Sequence, residues 1–133
     1  MRRIAPYGIA ILIIHALVSL VHDVAHFTLG VDISVPQWIY VLGVWVVLPS
    51  LALVWLLTGR LRSGSLLLFL SMLGALVFAG VNHFLIVSPD HIFHAPTGAS
   101  LRLFQVTAVL MGLLEFVGCV VGLWGMVKAR SAS

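Results

Sequence analysis

Residues 4–27 read IAPYGIAILIIHALVSLVHDVAHF, and this run sets the architecture of the chain. It is apolar over most of its length and exceeds the ~20 residues that an α-helix needs to cross ~30 Å of hydrocarbon. Backbone polar groups in lipid must bond within their own segment, so such a run predicts a membrane-spanning helix. Three similar runs follow, at 38–58, 65–87 and 101–127. The sequence therefore predicts an all-α integral membrane protein with four transmembrane helices, residues 1–133 forming a single domain.

The composition excludes most other classes of protein. Of the 133 residues, 62% are hydrophobic and 8% are charged, and the mean hydropathy is +1.19, whereas soluble domains carry about 25% charged residues. Cys119 is the only cysteine, which rules out an internal disulfide, a CxxC redox pair and a thiolate zinc site. In a chain this apolar, the excess of basic residues bears on membrane topology and does not indicate nucleic-acid binding.

The basic residues indicate how the chain is oriented. Six of the seven flank the same side of the four runs: Arg2, Arg3, Arg60, Arg62, Lys128 and Arg130. The positive-inside rule makes that side cytoplasmic. We therefore predict an up-down-up-down four-helix bundle in a bacterial inner membrane, with both termini cytoplasmic and a short periplasmic turn after the third helix.

The first run carries a polar stripe that a lipid-facing helix would not tolerate. At 100° per residue, five polar side chains fall within about 100° of arc on one face: His15, Ser19, His22, Asp23 and His26. A charged residue facing lipid at mid-membrane costs roughly 2.5–3.5 kcal/mol. The stripe is therefore expected to face the interior of the bundle.

The helical rise of ~1.5 Å per residue predicts two polar layers in this interior. His22 and His83 both lie roughly 28 Å along their helices and are expected at the same level, near the periplasmic boundary. His15 and Glu115 are both expected near mid-membrane, where a histidine can share a proton with a buried carboxylic acid. This second pair is either a proton relay or an interhelical hydrogen bond that fixes helix register, and we favour the register role.

The histidines of the upper layer have the spacing of metal ligands. His22 and His26 are four residues apart and His91 and His94 are three apart, so each pair can reach one ion from one helical face. The predicted metal ligands are His22, His26, His83, His91, His94, Asp23 and Asp90. Nitrogen and oxygen donors suit zinc, iron or copper, which the sequence does not distinguish. In an enzyme, the ion would activate water or oxygen on a lipid-soluble or periplasmic small molecule, with Asp23 or Asp90 as general base.

Two alternatives to a metal site stay open at this point. His22 and His83, at equal depth on two helices, could be the axial ligands of a b-type haem in an electron-transfer or quinone-linked redox protein, with Arg102 pairing a propionate. The chain could also be a non-catalytic subunit or assembly factor, whose apolar faces bind further copies of the chain or a larger membrane complex. Its histidines would then bind nothing.

Overall fold

The computed structural model describes residues 4–131 and contains four long helices, with no strand in that part of the chain. These helices are α1 (Ile4–Thr28), α2 (Val35–Leu57), α3 (Leu61–Leu85) and α4 (Leu101–Arg130), and each is long and apolar enough to cross a membrane. The prediction of four helices long and apolar enough to span a membrane is thereby confirmed. Arg2 and Arg3 lie outside the described residues, and the side on which each terminus lies stays a prediction.

Helix α3 packs mainly against two of the other three helices, and its smaller contact with α1 includes that of His83 with His22. It packs along α4 and along the second half of α2, Leu48–Leu57, while α1 packs on α4 and on the same half of α2. Small residues allow these close approaches. A Cβ atom added at Gly122 would lie 2.9 Å from the backbone of Phe69 on α3, so the two helices are in near backbone contact there.

Helices α2 and α3 each contain a wider, π-helical turn. In α2 it spans Leu42–Val47 and ends two residues before Pro49. Proline lacks an N–H, and its ring clashes with the carbonyl four residues earlier, so a widened turn lets the helix continue through this position. In α3 the π turn spans Gly80–Leu85 and includes His83. Such turns occur frequently at functional sites.

The two connections of residues 29–34 and 86–100 lie at the same end of the molecule, which we call the histidine end. The longer one is a series of turns, in which the Ser88 hydroxyl accepts a hydrogen bond from Asp90 N–H at 3.2 Å. Ile92 N–H donates to the His83 carbonyl at 3.0 Å, and the Gln105 amide donates to the Ile92 carbonyl at 2.8 Å. The loop is therefore bonded both to α3 and to α4.

The outward faces of the helices are apolar. Large hydrophobic side chains are exposed along all four helices, for example Leu17, Leu57, Val77 and Phe116. Such surfaces fit a bilayer, where lipid tails cover them. Most of the polar stripe of α1 faces inward instead: His15, Ser19 and His22 are buried and His26 is partly buried, but Asp23 is exposed.

Candidate functional site

Asp90 joins two histidines from different helices at the histidine end. Its Oδ1 accepts hydrogen bonds from Nε2 of His26 at 2.6 Å and from Nδ1 of His83 at 3.0 Å. Burial alone would raise the pKa of Asp90, but the hydrogen bonds from the two imidazoles outweigh it and hold that pKa well below its usual range. The carboxylate therefore stays ionised and ties the 86–100 loop to α1 and α3.

The remaining nitrogen of His26 is also occupied. Its Nδ1–H donates to the Val31 carbonyl at 2.9 Å, which ties the 29–34 connection to α1. Both ring nitrogens of His26 are therefore engaged, and His26 offers no free nitrogen to a ligand.

His22 and His83 differ from His26 because each keeps one nitrogen free. Thr107 donates its hydroxyl hydrogen to the Leu103 carbonyl at 2.7 Å, so its oxygen accepts from Nδ1–H of His22 at 2.9 Å. Nε2 of His22 is buried and has no hydrogen-bond partner within the described chain. In His83, Nδ1–H donates to Asp90, through the carbonyl at 2.9 Å and the carboxylate. In both rings the Nε2 lone pair therefore points away from the hydrogen bond that Nδ1–H donates.

The three rings form one compact group, which we call the histidine cluster: His22, His26 and His83. Ring centroids are 5.0 Å apart for His22 and His83, 5.5 Å for His22 and His26, and 6.2 Å for His26 and His83. Phe104 of α4 lies at the back of the cluster and stacks on His22 with a centroid distance of 5.0 Å. This buried ring restricts how far the imidazoles can turn.

A cavity of about 500 Å³ lies beside the histidine cluster. Its walls come from the end of α1, the following connection, the first half of α2, and α3. The polar lining consists of the cluster with Asp23, Asp32 and Asp90, and the tryptophans Trp38 and Trp45 line it from α2. The indole Nε1–H of Trp45 is buried and has no hydrogen-bond partner in the described chain.

The predicted seven-ligand set does not form as one group. His91 and His94 lie against each other, because Nδ1 of His91 accepts from Nδ1–H of His94 at 3.0 Å and from Phe93 N–H at 3.2 Å. Neither lines the cavity. Within residues 4–131, no group of three or more His, Cys, Asp or Glu side chains is arranged to hold a metal ion. The loop's own hydrogen bonds hold these two histidines, which local spacing could not reveal.

Two further predicted residues take different positions. Asp23 is exposed at the edge of the cavity and makes no hydrogen bond within the described chain, so its carboxylate is unoccupied. Arg102 is exposed on α4 and does not line the cavity. The structure therefore keeps Asp23 at the site but does not bring Arg102 to it.

The second predicted layer is formed by a direct contact. Nε2 of His15 and Oε1 of Glu115 are 3.2 Å apart, and both side chains are buried. The second carboxyl oxygen of Glu115 has no partner in the described chain, and the same holds for the Ser19 hydroxyl one helical turn beyond His15. This pair joins α1 to α4, as a register-fixing contact does.

Sequence reasoning missed Thr107, Phe104 and Trp45 as parts of the site. Thr107 lies eight residues before Glu115 on α4, and two turns of helix bring the two to the same face. A polar residue on the face already marked by Glu115 was therefore a usable signal. The positions of Phe104 and Trp45 depend on how the helices pack, and no local pattern indicates them.

Comparison of the chain with protein-family models, with curated proteins and with solved structures gives no match.

Proposed function

We propose that this four-helix membrane protein binds a divalent transition-metal ion, such as zinc, iron or copper, through Nε2 of His22 and Nε2 of His83. The observation that carries the proposal is the buried Nε2 of His22, which has no partner in the described chain. Leaving a buried acceptor unpaired costs about 1–3 kcal/mol. A ligand that engages this nitrogen removes that cost.

The bonds on the opposite side of each ring support the proposal. A metal-ligating histidine typically donates its other ring N–H to a carboxylate, a carbonyl or another acceptor, which fixes its tautomer and orientation. Thr107 does this for His22, and Asp90 does it for His83. Both imidazoles are thus pre-set as Nε2 donors.

The separation of the two rings suits a shared ion. With metal–nitrogen bonds of about 2 Å, each ring centroid lies about 3.2 Å from the metal, so two ligands at a tetrahedral angle have centroids about 5.2 Å apart. The observed distance is 5.0 Å. Two axial ligands on opposite faces of a haem would need about 6.4 Å by the same bond lengths. The haem alternative therefore fits this arrangement less well than a single ion does.

Two protein ligands leave coordination positions open, as catalytic metal sites do. The adjoining cavity has room for water or a small molecule in those positions. In an enzymatic reaction Asp23 would be the general base, because its carboxylate is free at the cavity edge. Asp90 would position His83, since its carboxylate is already engaged with two imidazoles.

The experiment is a titration of detergent-purified, chelator-treated protein with Co²⁺, followed by visible absorption, with Zn²⁺ added in competition. His22→Asn and His83→Asn are the informative variants, because the asparagine amide can replace Nδ1–H as a donor but offers nothing in place of Nε2. We expect saturation at one ion per chain, and at least a hundredfold weaker binding in either variant.

Thr107→Val tests the orienting bond. It removes the acceptor for His22 Nδ1–H and should weaken Co²⁺ binding by about 10–100-fold. The control His94→Asn, at a residue that does not line the cavity, should bind as the wild type does. Equal Co²⁺ affinity in the wild type, His22→Asn and His83→Asn would overturn the proposal. A Soret band in the purified protein would favour the haem alternative instead.

A further inference from the structure

The cavity at the histidine end is lined in part by side chains that are exposed on the outer surface of the helices. Val24, Phe27 and Trp38 line it and are 55%, 87% and 53% exposed. Helix α1 packs closely on Leu48–Leu57 of α2 but has little contact with Val35–Val41 of the same helix. The two helices therefore separate toward the histidine end, and the cavity opens sideways between two membrane-spanning helices.

The cavity combines two kinds of surface. Its outward part is apolar and aromatic, with Val24, Phe27 and Trp38, and its inward part carries the histidine cluster and Asp90. A molecule that enters from the hydrocarbon would meet apolar side chains first and imidazoles last. The volume of the cavity, about 500 Å³, lies within the roughly 300–1,000 Å³ of pockets that hold one drug-sized molecule.

The hydrogen-bonding groups of the inward part are mostly acceptors. His22 and His83 line this part, and the Nδ1 hydrogen bond of each ring leaves its Nε2 with the lone pair that can bind a metal or accept a hydrogen. The free carboxylate of Asp23 is also an acceptor. The matching ligand group is therefore one that donates a hydrogen or binds a metal through oxygen, and a hydroxyl does both.

We propose that the cavity binds a lipid-soluble molecule with a hydroxyl head group, of the phenol or alcohol class, that enters sideways from the bilayer. This inference rests on the proposed function in one respect, because the hydroxyl oxygen would bind the metal ion held by His22 and His83. Without the ion, the hydroxyl donates directly to Nε2 of His22. The apolar body of the molecule occupies the space between Phe27 and Trp38.

The test compares 4-hexylphenol with 4-hexylanisole, two probes of nearly equal shape of which only the first carries a hydroxyl. Binding is followed by tryptophan fluorescence in a Trp55→Phe/Trp124→Phe background, so that only Trp38 and Trp45, both at the cavity, report. We expect chelator-treated protein to bind the phenol about tenfold more tightly than the anisole, as one hydrogen bond to a buried acceptor allows.

Two variants locate the bound molecule. In His22→Asn the preference for the phenol should disappear while the anisole binds as before. In Val24→Phe, which narrows the sideways opening without adding a third tryptophan, both probes should bind more weakly. His94→Asn should leave both affinities unchanged. Equal affinity for the two probes in the wild-type protein, or an unchanged preference in His22→Asn, would overturn the inference.

A cobalt titration separates this inference from the proposed function. With Co²⁺ bound, the phenol should shift the visible absorption bands and the anisole should not, which supports both ideas together. A phenol preference in a protein that binds no Co²⁺ supports the cavity ligand and rejects the metal. Specific Co²⁺ binding with no phenol preference, in either the loaded or the metal-free protein, rejects the cavity ligand alone.

Discussion

Replacing Asp90 by asparagine should destabilise the protein by about 2–3 kcal/mol. The substitution keeps the size of the side chain but removes the charge that two imidazoles share, at 2.6 Å from His26 and 3.0 Å from His83. Hydrogen bonds to charged groups contribute about 1.5–3 kcal/mol each. The asparagine oxygen can still accept one of them, so the expected loss is close to that of one charged bond and not of two.

The assay is reversible unfolding by sodium dodecyl sulfate in mixed micelles, followed by far-ultraviolet circular dichroism. Asp32→Asn is the matched control, because Asp32 lines the same cavity, is exposed and makes no hydrogen bond within the described chain. Its replacement removes an equal charge and should change the free energy of unfolding by less than about 0.5 kcal/mol. Equal losses in the free energy of unfolding for the two variants would show that Asp90 acts only as a long-range charge and not through its hydrogen bonds.

The pH dependence of the stability difference between the wild type and Asp90→Asn follows from the direction of the pKa shift of Asp90. The pKa of Asp90 is lower in the folded protein than in the unfolded chain, because the hydrogen bonds from His26 and His83 outweigh the effect of burial. The carboxylate's contribution is therefore fully present above its unfolded pKa, near 3.9, and is lost as the pH falls through the lower folded value. A gap between wild type and Asp90→Asn that closes already between pH 7 and pH 5 would refute this account.

Two further substitutions test the packing of the helices with the same unfolding assay. Gly122→Ala should cost about 1–3 kcal/mol by overpacking, since the new Cβ would lie 2.8–2.9 Å from Phe69 atoms. At Gly112 an added Cβ meets nothing within 4 Å, so Gly112→Ala should stabilise the helix by up to about 1 kcal/mol. If Gly112→Ala were the more destabilising of the two, the packing of α3 on α4 would be contradicted. His15→Leu should cost about 3 kcal/mol because it leaves the buried Glu115 unpaired. Adding Glu115→Leu should recover part of that loss. A double variant no more stable than His15→Leu would argue against a stabilising His15–Glu115 pair.

The helices could be predicted from the sequence because lipid imposes a strong local rule. A backbone in hydrocarbon must bond within its own helix, so length and apolar content alone indicate each span. The same reasoning placed the polar stripe of α1 inward, which holds for its histidines and Ser19 but not for the exposed Asp23. The rise per residue also placed His22 level with His83 and His15 level with Glu115, and the structure brings both pairs together.

The 86–100 loop shows where this reasoning ends. The position of its side chains depends on hydrogen bonds between parts of the chain that are distant in sequence, such as Asp90 with His26. His91 and His94 have the spacing of metal ligands, yet a loop can satisfy such residues locally, as the bonds to Phe93 N–H and between the two rings show. Spacing gives the distance between two side chains along the backbone but not the direction in which a loop presents them.

Gly112 shows a smaller limit of the same kind. Its place beside Gly118, Gly122 and Gly125 on α4 suggests one continuous packing seam, but only the last three lie where an added Cβ would meet a neighbouring helix. Helical periodicity identifies a face and not the height at which a partner helix touches it. The partner must be known before a glycine can be assigned to packing.

Buried polar atoms without a partner in the described chain occur in both layers of the site and between them on α1. Nε2 of His22, the Ser19 hydroxyl and the free oxygen of Glu115 are all buried without a partner in the described chain, and Nε1–H of Trp45 joins them from α2. Ser19 lies about 4.5 Å below His22 and about 6 Å above His15 along α1 by the helical rise, and one water molecule bridges polar groups at such separations. A water beside Ser19 would therefore give its hydroxyl a hydrogen-bond partner and offset the cost of about 1–3 kcal/mol of burying that group unpaired.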